Sequence, residues 1–237
     1  MLRTWPFHEA DLLVSLLTRD SGVIKGVARH AMRSRRRFGG ALEPGTHVTA
    51  HYTERPREDL VRLDSFEILW SPLAAPVDLE RVAGMQLVVE VLEQALPEMA
   101  PEDNIYRLAL ACLQAMEGNP VWLPVTYFAL WMNRLMGWLP EMRHCAVCGL
   151  DLHGEGVWWS PVTDGVTCAD DCRAESRHLT PSAVALASVI AHRSLPALME
   201  EERWGSSTAA DLRAFAVGGL EQHLERRLRS ALALGRR

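Results

Sequence analysis

The apolar positions of this chain change period near residue 71. Before that point they fall in short, strand-like runs. Residues 11–22, DLLVSLLTRDSG, form an apolar run closed by an Asp-Ser-Gly turn signal. In VIKGVARHA, Val23, Lys25, Val27 and Arg29 share one face of an extended strand, and Ile24, Gly26 and Ala28 the other. In HVTAHYTE, Val48, Ala50 and Tyr52 alternate with Thr49, His51 and Thr53. The polar stretch RPRED then leads into LVRLDSFEILW. Four or five short strands separated by turn signals predict a small β-barrel or meander over residues 1–71.

SPLAAPVD, residues 71–78, has the composition of a linker. Beyond it the period becomes helical, and a helical domain is expected over residues 78–237. Leu79, Val82, Ala83, Leu87, Val91 and Leu92 recur at helical spacing, with Asp78 placed to cap the first turn. EDNIYRLALACLQAME predicts a second helix, stopped by Gly118-Asn119-Pro120. The apolar run from Val121 predicts a third, central helix. After a cysteine-bearing insert, TPSAVALASVIAHR opens with Thr180 at the cap and Pro181 at the first helical position. A last helix is expected over residues 208–234. No repeat of fixed period is visible.

The 237 residues are 48% hydrophobic and 23% charged, which suits a folded globular chain and excludes wholesale disorder. The start shows no apolar secretory region. The most membrane-like run, Val121–Leu139, carries Pro124, Asn133 and Arg134, so a core helix is expected rather than a span. A cytoplasmic protein with no membrane partner is expected.

Five cysteines are present, and four of them cluster. Cys145-Ala-Val-Cys148-Gly149 has knuckle spacing: two intervening residues let both sulfurs face one tetrahedral ion. Nineteen residues later in the chain, Cys168 and Cys172 form a second pair with a three-residue gap. In a reducing compartment this pattern points to metal rather than disulfides. The expected set is Cys145, Cys148, Cys168 and Cys172 around one structural Zn²⁺, in an insert spanning residues 144–173. His144, His153 and His178 stand by as substitutes. Four sulfurs would fill the shell, which argues against a catalytic ion. The knuckle follows a helix and lacks the βαβ setting of a redox pair. Cys112 lies in a helical apolar pattern and is expected in the core.

Charge is uneven. Residues 1–71 carry eleven basic against nine acidic side chains, net +2, and the rest fourteen against twenty-one, net −7, giving the chain −5. Six cations, Lys25, Arg29, Arg33, Arg35, Arg36 and Arg37, fall between Ser21 and Leu42 with no acid among them. Such cations repel one another unless an anion binds. Beside a small barrel they point to nucleic acid, held by a positive groove and by stacking on Phe38, Tyr52, Phe66 or Trp70. A solvated loop or a protein-docking patch is the alternative. No GxGxxG or phosphate loop is present.

Together these segments resemble the bacterial RecO family of DNA repair and recombination mediators. EADLLVSLLTRDSGVIKGVARHAMRSRRRFGGALEPG resembles the family's N-terminal block, and YFALWMNRLMGWLPEMRHCAVCG its helix-to-knuckle segment. Family members usually begin several residues earlier, which points to a late start or a short first strand here. The resemblance implies an α+β architecture: an N-terminal OB-fold barrel, then a helical domain carrying a zinc site. It implies binding of single- and double-stranded DNA and annealing of complementary strands. It also implies partnership with RecR, contact with the acidic C-terminal tail of the single-strand binding protein, and help in loading the RecA recombinase. Carried over, Lys25, Arg29, Arg33, Arg35, Arg36 and Arg37 become DNA contacts and the four cysteines zinc ligands. Annealing needs no general base, so no enzyme is expected. The competing hypotheses are a zinc-dependent nucleic-acid enzyme, with Asp164, Asp170 and Asp171 as carboxylates, and a scaffold whose basic loop docks an acidic peptide.

Overall fold

A computed structural model of the chain describes residues 1–54, 57–74, 76, 78–118, 120–160, 164–201 and 204–234. Arg55 and Pro56 of the polar stretch, Ala75 and Val77 of the linker, and Asn119 of the helix stop lie outside the described residues. The chain divides into two compact units, Met1–Glu117 with the segment from Arg229, and Gly118–Leu228.

The first unit is built on a five-stranded sheet. Its strands are β1 (Arg3–Pro6), β2 (Leu12–Thr18), β3 (Gly22–Ala28), β4 (His47–Thr53) and β5 (Val61–Trp70), in the order β1-β2-β3-β5-β4. Neighbours are antiparallel except β3 and β5, which run parallel over Gly26–Ala28 and Val61–Leu63. The Asp20-Ser21-Gly22 turn forms as expected: Gly22 takes φ +68°, which a side chain resists, and an added Cβ would lie 2.2 Å from the Ala100 carbonyl oxygen.

The expected small β-barrel is not closed: β1 and β4 are the edge strands and are not paired with each other. Three features account for this. β1 is four residues long and ends at Pro6, which has no N–H to donate. The β3–β5 overlap is three residues. The far half of β3 is already taken, since Val23 bridges Glu98 and accepts from the Met99 N–H at 3.0 Å. The core beneath the sheet gathers Val14, Leu16, Ile24, Ala28, Phe38, Leu63 and Phe66.

The same unit holds α1 (Leu79–Ala95) and α2 (Asp103–Ala115). Asp78 caps α1, accepting from the Arg81 N–H at 2.8 Å. α1 is buried nearly all round, through Ala83, Leu87, Val88, Val91 and Leu92. Its Arg81, 3% exposed, donates to the Pro72 and Pro76 carbonyls.

The second unit packs α3 (Trp122–Leu135), α4 (Pro181–His192), α5 (Leu195–Met199) and α6 (Ser206–His223), with the expected cap of α4 at Thr180. α3 is central: Phe128, Ala129 and Met132 are fully buried, and Asn133 donates to the Ala129 and Ala216 carbonyls, both at 2.8 Å. The insert between α3 and α4 folds as three short antiparallel strands, β6 (Val157–Trp159), β7 (Val166–Thr167) and β8 (Arg177–Leu179). The expected last helix is broken. α6 ends at His223, Glu225 turns left-handed with φ +52°, and α7 (Ala231–Leu234) follows. Among the described residues, no helix is long and apolar enough to cross a membrane.

Candidate metal centre and basic loop

The candidate metal site is assembled by two turns with the same spacing. In the first, Cys145 and Cys148 are separated by two residues. Gly149 closes that turn with φ +75°, and its N–H donates to the Cys145 carbonyl at 2.9 Å. The turn is fastened to β7 by the Ala146 N–H on the Val166 carbonyl at 2.8 Å. In the second turn, Cys168 and Asp171 repeat the two-residue gap. Cys145, Cys148, Cys168 and Asp171 thereby bring four ligand atoms within 4.8 Å of one another.

Cys172 does not join them. One position further along its turn, it points its thiol to the Ala169 carbonyl at 3.1 Å. Among the substitutes weighed from sequence, His144 pairs with Glu141 and His178 packs on Trp158, and neither they nor His153 enter the cluster. Sequence reasoning did not place Asp171 in the cluster, although the signal was present in the repeated x-x gap.

The donor set fits zinc. A tetrahedral ion with bonds of about 2.3 Å sets its sulfurs roughly 3.8 Å apart. Cys148 Sγ and Cys168 Sγ are separated by 3.8 Å. The Asp171 carboxylate accepts from the Cys145 and Cys168 thiols, each at 3.2 Å. Thiol hydrogen bonds from Cys148, Cys145 and Cys168 hold the Asp171 carboxyl below the usual carboxylate range. The same carboxylate, acting first among several causes, pushes the Cys148 thiol up to about 12. Burial and then Asp171 raise Cys168. Burial also opposes ionisation of Cys145, but backbone N–H groups of Cys148, Cys168 and Val147 bring that thiol below its ordinary value.

Cys112 is fully buried in α2, where burial pushes its thiol far up, so it is an inert core side chain.

The six cations divide by environment. Lys25, on β3, is paired with Glu98 at 2.6 Å. Arg37 folds back on its own loop: it donates to the Arg29 carbonyl at 2.6 Å and to Ser34 Oγ at 3.1 Å, and lies 5.0 Å from the centre of the Phe38 ring. Phe38 is 2% exposed and meets Phe66 edge-on in the core. The Arg37 carbonyl accepts from the Phe66 N–H at 2.8 Å, stitching the loop to β5. Phe38 and Ala41 therefore pin the segment down. Arg29, Arg33, Arg35 and Arg36 are left exposed, and none forms an ion pair among the described residues.

The aromatic residues expected to stack are otherwise engaged. Phe38 and Phe66 are core, Tyr52 is packed against it, and the Trp70 indole N–H donates to Glu117 at 2.8 Å.

Comparison with known families gives two matches that together span nearly the whole chain. The model described as "Recombination protein O N terminal" covers residues 1–72, and "Recombination protein O C terminal" covers residues 76–232. The chain is 47% identical over 228 residues to the DNA repair protein RecO of Koribacter versatilis, covering 96% of this chain and 93% of that protein. It is 33% identical over 237 residues to the RecO protein of Myxococcus xanthus, covering 97% and 92% of the two chains. A RecO protein of Anaeromyxobacter, strain Fw109-5, is 33% identical over 236 residues, with 96% and 90% covered. The chain belongs to the RecO family of DNA repair proteins.

Proposed function

We propose that this RecO-family chain is a DNA-binding mediator of recombinational repair, acting without catalysis in the cytoplasm. It binds single- and double-stranded DNA, anneals complementary strands and, with RecR, helps load RecA on DNA coated by single-strand binding protein, whose acidic tail it contacts. The observation that carries the proposal is the loop of residues 29–36. Arg29, Arg33, Arg35 and Arg36 stand exposed and, among the described residues, without ion pairs, on a chain whose net charge is −5. Phosphates are the natural counter-charge, and neutralising them lowers the repulsion that opposes strand pairing. The loop borders a five-stranded sheet of the kind that an OB-fold uses to carry single strands. Its arginines position the nucleic-acid backbone and do not read sequence.

The metal has a structural role in this proposal. Three sulfurs and one carboxylate oxygen would fill the four tetrahedral corners of a zinc ion, leaving no position for a reacting water. Cys145, Cys148, Cys168 and Asp171 would hold the Zn²⁺, which when bound joins the two turns of the insert. Of the carboxylates weighed for an enzyme, Asp171 sits in this set and Asp164 accepts from Gln222 at 3.1 Å.

The test is a salt-titrated binding and annealing assay. For duplex DNA, log K falls with log salt by about 0.9 per neutralised phosphate. Replacing Arg33, Arg35 and Arg36 together by Ala is expected to flatten that slope by roughly 2–3 units and to slow annealing. Unchanged affinity and slope would remove the DNA assignment from this loop.

A further inference from the structure

With Phe38 and Phe66 in the core, one Phe, Tyr or Trp ring of residues 1–117 is exposed among the described residues: Phe7, at 42%. It lies at the mouth of the β1–β2 hairpin, where its N–H donates to the Asp11 carbonyl at 3.1 Å. His8 meets it edge-on, with ring centres 4.4 Å apart. The fold does not need an aromatic here, because the hairpin bond comes from the backbone and the ring is not packed into the core.

The hairpin mouth is tied to the basic loop. The Met32 N–H donates to the Ala10 carbonyl at 3.2 Å, and the His30 N–H donates to the Asp11 carboxylate at 2.7 Å. Phe7 and His8 therefore line a groove of about 400 Å³ together with Arg29, His30 and Arg62. Two acids also line it, Asp11 and Glu58, both engaged: Asp11 by His30, and Glu58 by a further interaction of its own. Arg62 is paired with Asp64 at 2.7 Å. Among the described residues Arg29 forms no ion pair, and Arg33, four positions on in the same loop, is exposed as well. An exposed aromatic ring beside unpaired cations is the chemistry by which proteins hold unstacked bases and their backbone together.

We infer that Phe7 is a stacking platform for one unpaired base of single-stranded DNA, whose flanking phosphates lie on Arg29 and Arg33. The inference rests on the DNA-binding function proposed above and adds a preference to it. Phosphate contacts serve duplex and single strand alike, whereas a base inside a duplex cannot reach the ring.

The experiment measures binding of a fluorescent oligothymidine and of a duplex of equal length across a salt series. It uses the wild-type chain, Phe7→Ala, Phe7→Trp and the triple Arg33/Arg35/Arg36→Ala variant. Phe7→Ala is expected to weaken single-strand binding at least about fivefold, the lower end for loss of one stacked base. It should leave duplex affinity and both salt slopes as in the wild type, which also shows that the variant is folded. Phe7→Trp should restore single-strand binding. Equal losses on both substrates, or no loss on the single strand, would overturn the inference while a flattened slope in the arginine variant left the DNA function standing. A wild-type chain that binds neither substrate would overturn both.

Discussion

Two neighbouring residues, Asp171 and Cys172, decide the metal centre. A ligand list drawn from cysteine count alone includes Cys172, because thiolates are the common zinc donors. Geometry favours Asp171, since a turn that returns a ligand at the third following residue suits Cys168–Asp171 as it suits Cys145–Cys148. Asp171→Ala is therefore expected to lose most bound zinc at micromolar metal, whereas Cys172→Ala should retain about one ion per chain. Metal content measured on the two purified variants checks this, and the reverse order would return the fourth corner to Cys172. The three converged cysteines were legible in the sequence because knuckle spacing is a local property. The carboxylate was not, because Asp beside Cys is common and only the fold shows which of two adjacent side chains turns inward. The same limit applied to Phe38. Next to three arginines it reads as a base-stacking ring, but it packs into the core, where the Arg37–Phe66 backbone bond ties its loop to β5.

Among the elements, those set by local chemistry were readable and those set by distant partners were not. Asp78 and Thr180 cap α1 and α4 as expected, since each bonds an N–H three residues away. The break between α6 and α7 has no comparable local signal. The segment after the break is held by Glu90 of α1, whose carboxylate accepts from the N–H groups of Arg229 and Ser230 at 3.0 and 2.9 Å and from the Ser230 hydroxyl at 2.5 Å. Partial burial would raise the Glu90 pKa, but the bonds from Ser230 and Arg229 outweigh it and leave the group below its ordinary 4.5. A carboxylate with a depressed folded pKa contributes stability that is present above the unfolded value and disappears as pH falls through the folded one. Glu90→Gln is accordingly expected to lower the melting temperature at pH 7, with the gap to wild type closing as pH drops below 4.5. Thermal melts at several pH values check the sign. A gap that stays constant with pH would mean that Glu90 anchors the segment without its charge. The closed barrel fails for a related reason: alternation identifies strands, but their order depends on what else claims each edge, here Glu98 and Met99 on β3.

At the scale of the whole molecule, the arginine loop belongs to the unit containing Met1–Glu117, and the metal centre to Gly118–Leu228. A mediator with a structural ion and a metal-dependent enzyme predict different effects of metal removal. In the mediator, a bound ion would hold the two insert turns together, and its binding energy would be part of the folding energy of that unit. Removing it with a strong chelator is expected to lower the melting temperature of the chain and to expose Cys145 and Cys168, buried in the folded insert, to a thiol reagent. The DNA affinity and salt slope supplied by Arg29, Arg33, Arg35 and Arg36 should persist below the lowered melting temperature, because no metal ligand lies within that loop. An enzyme would behave in the opposite way, keeping its fold and losing turnover. Parallel measurement of melting, thiol reactivity and salt-dependent DNA binding on holo and chelated protein separates the two. DNA binding that vanished on chelation with the fold intact would move the ion from scaffold to interface and overturn this division of labour.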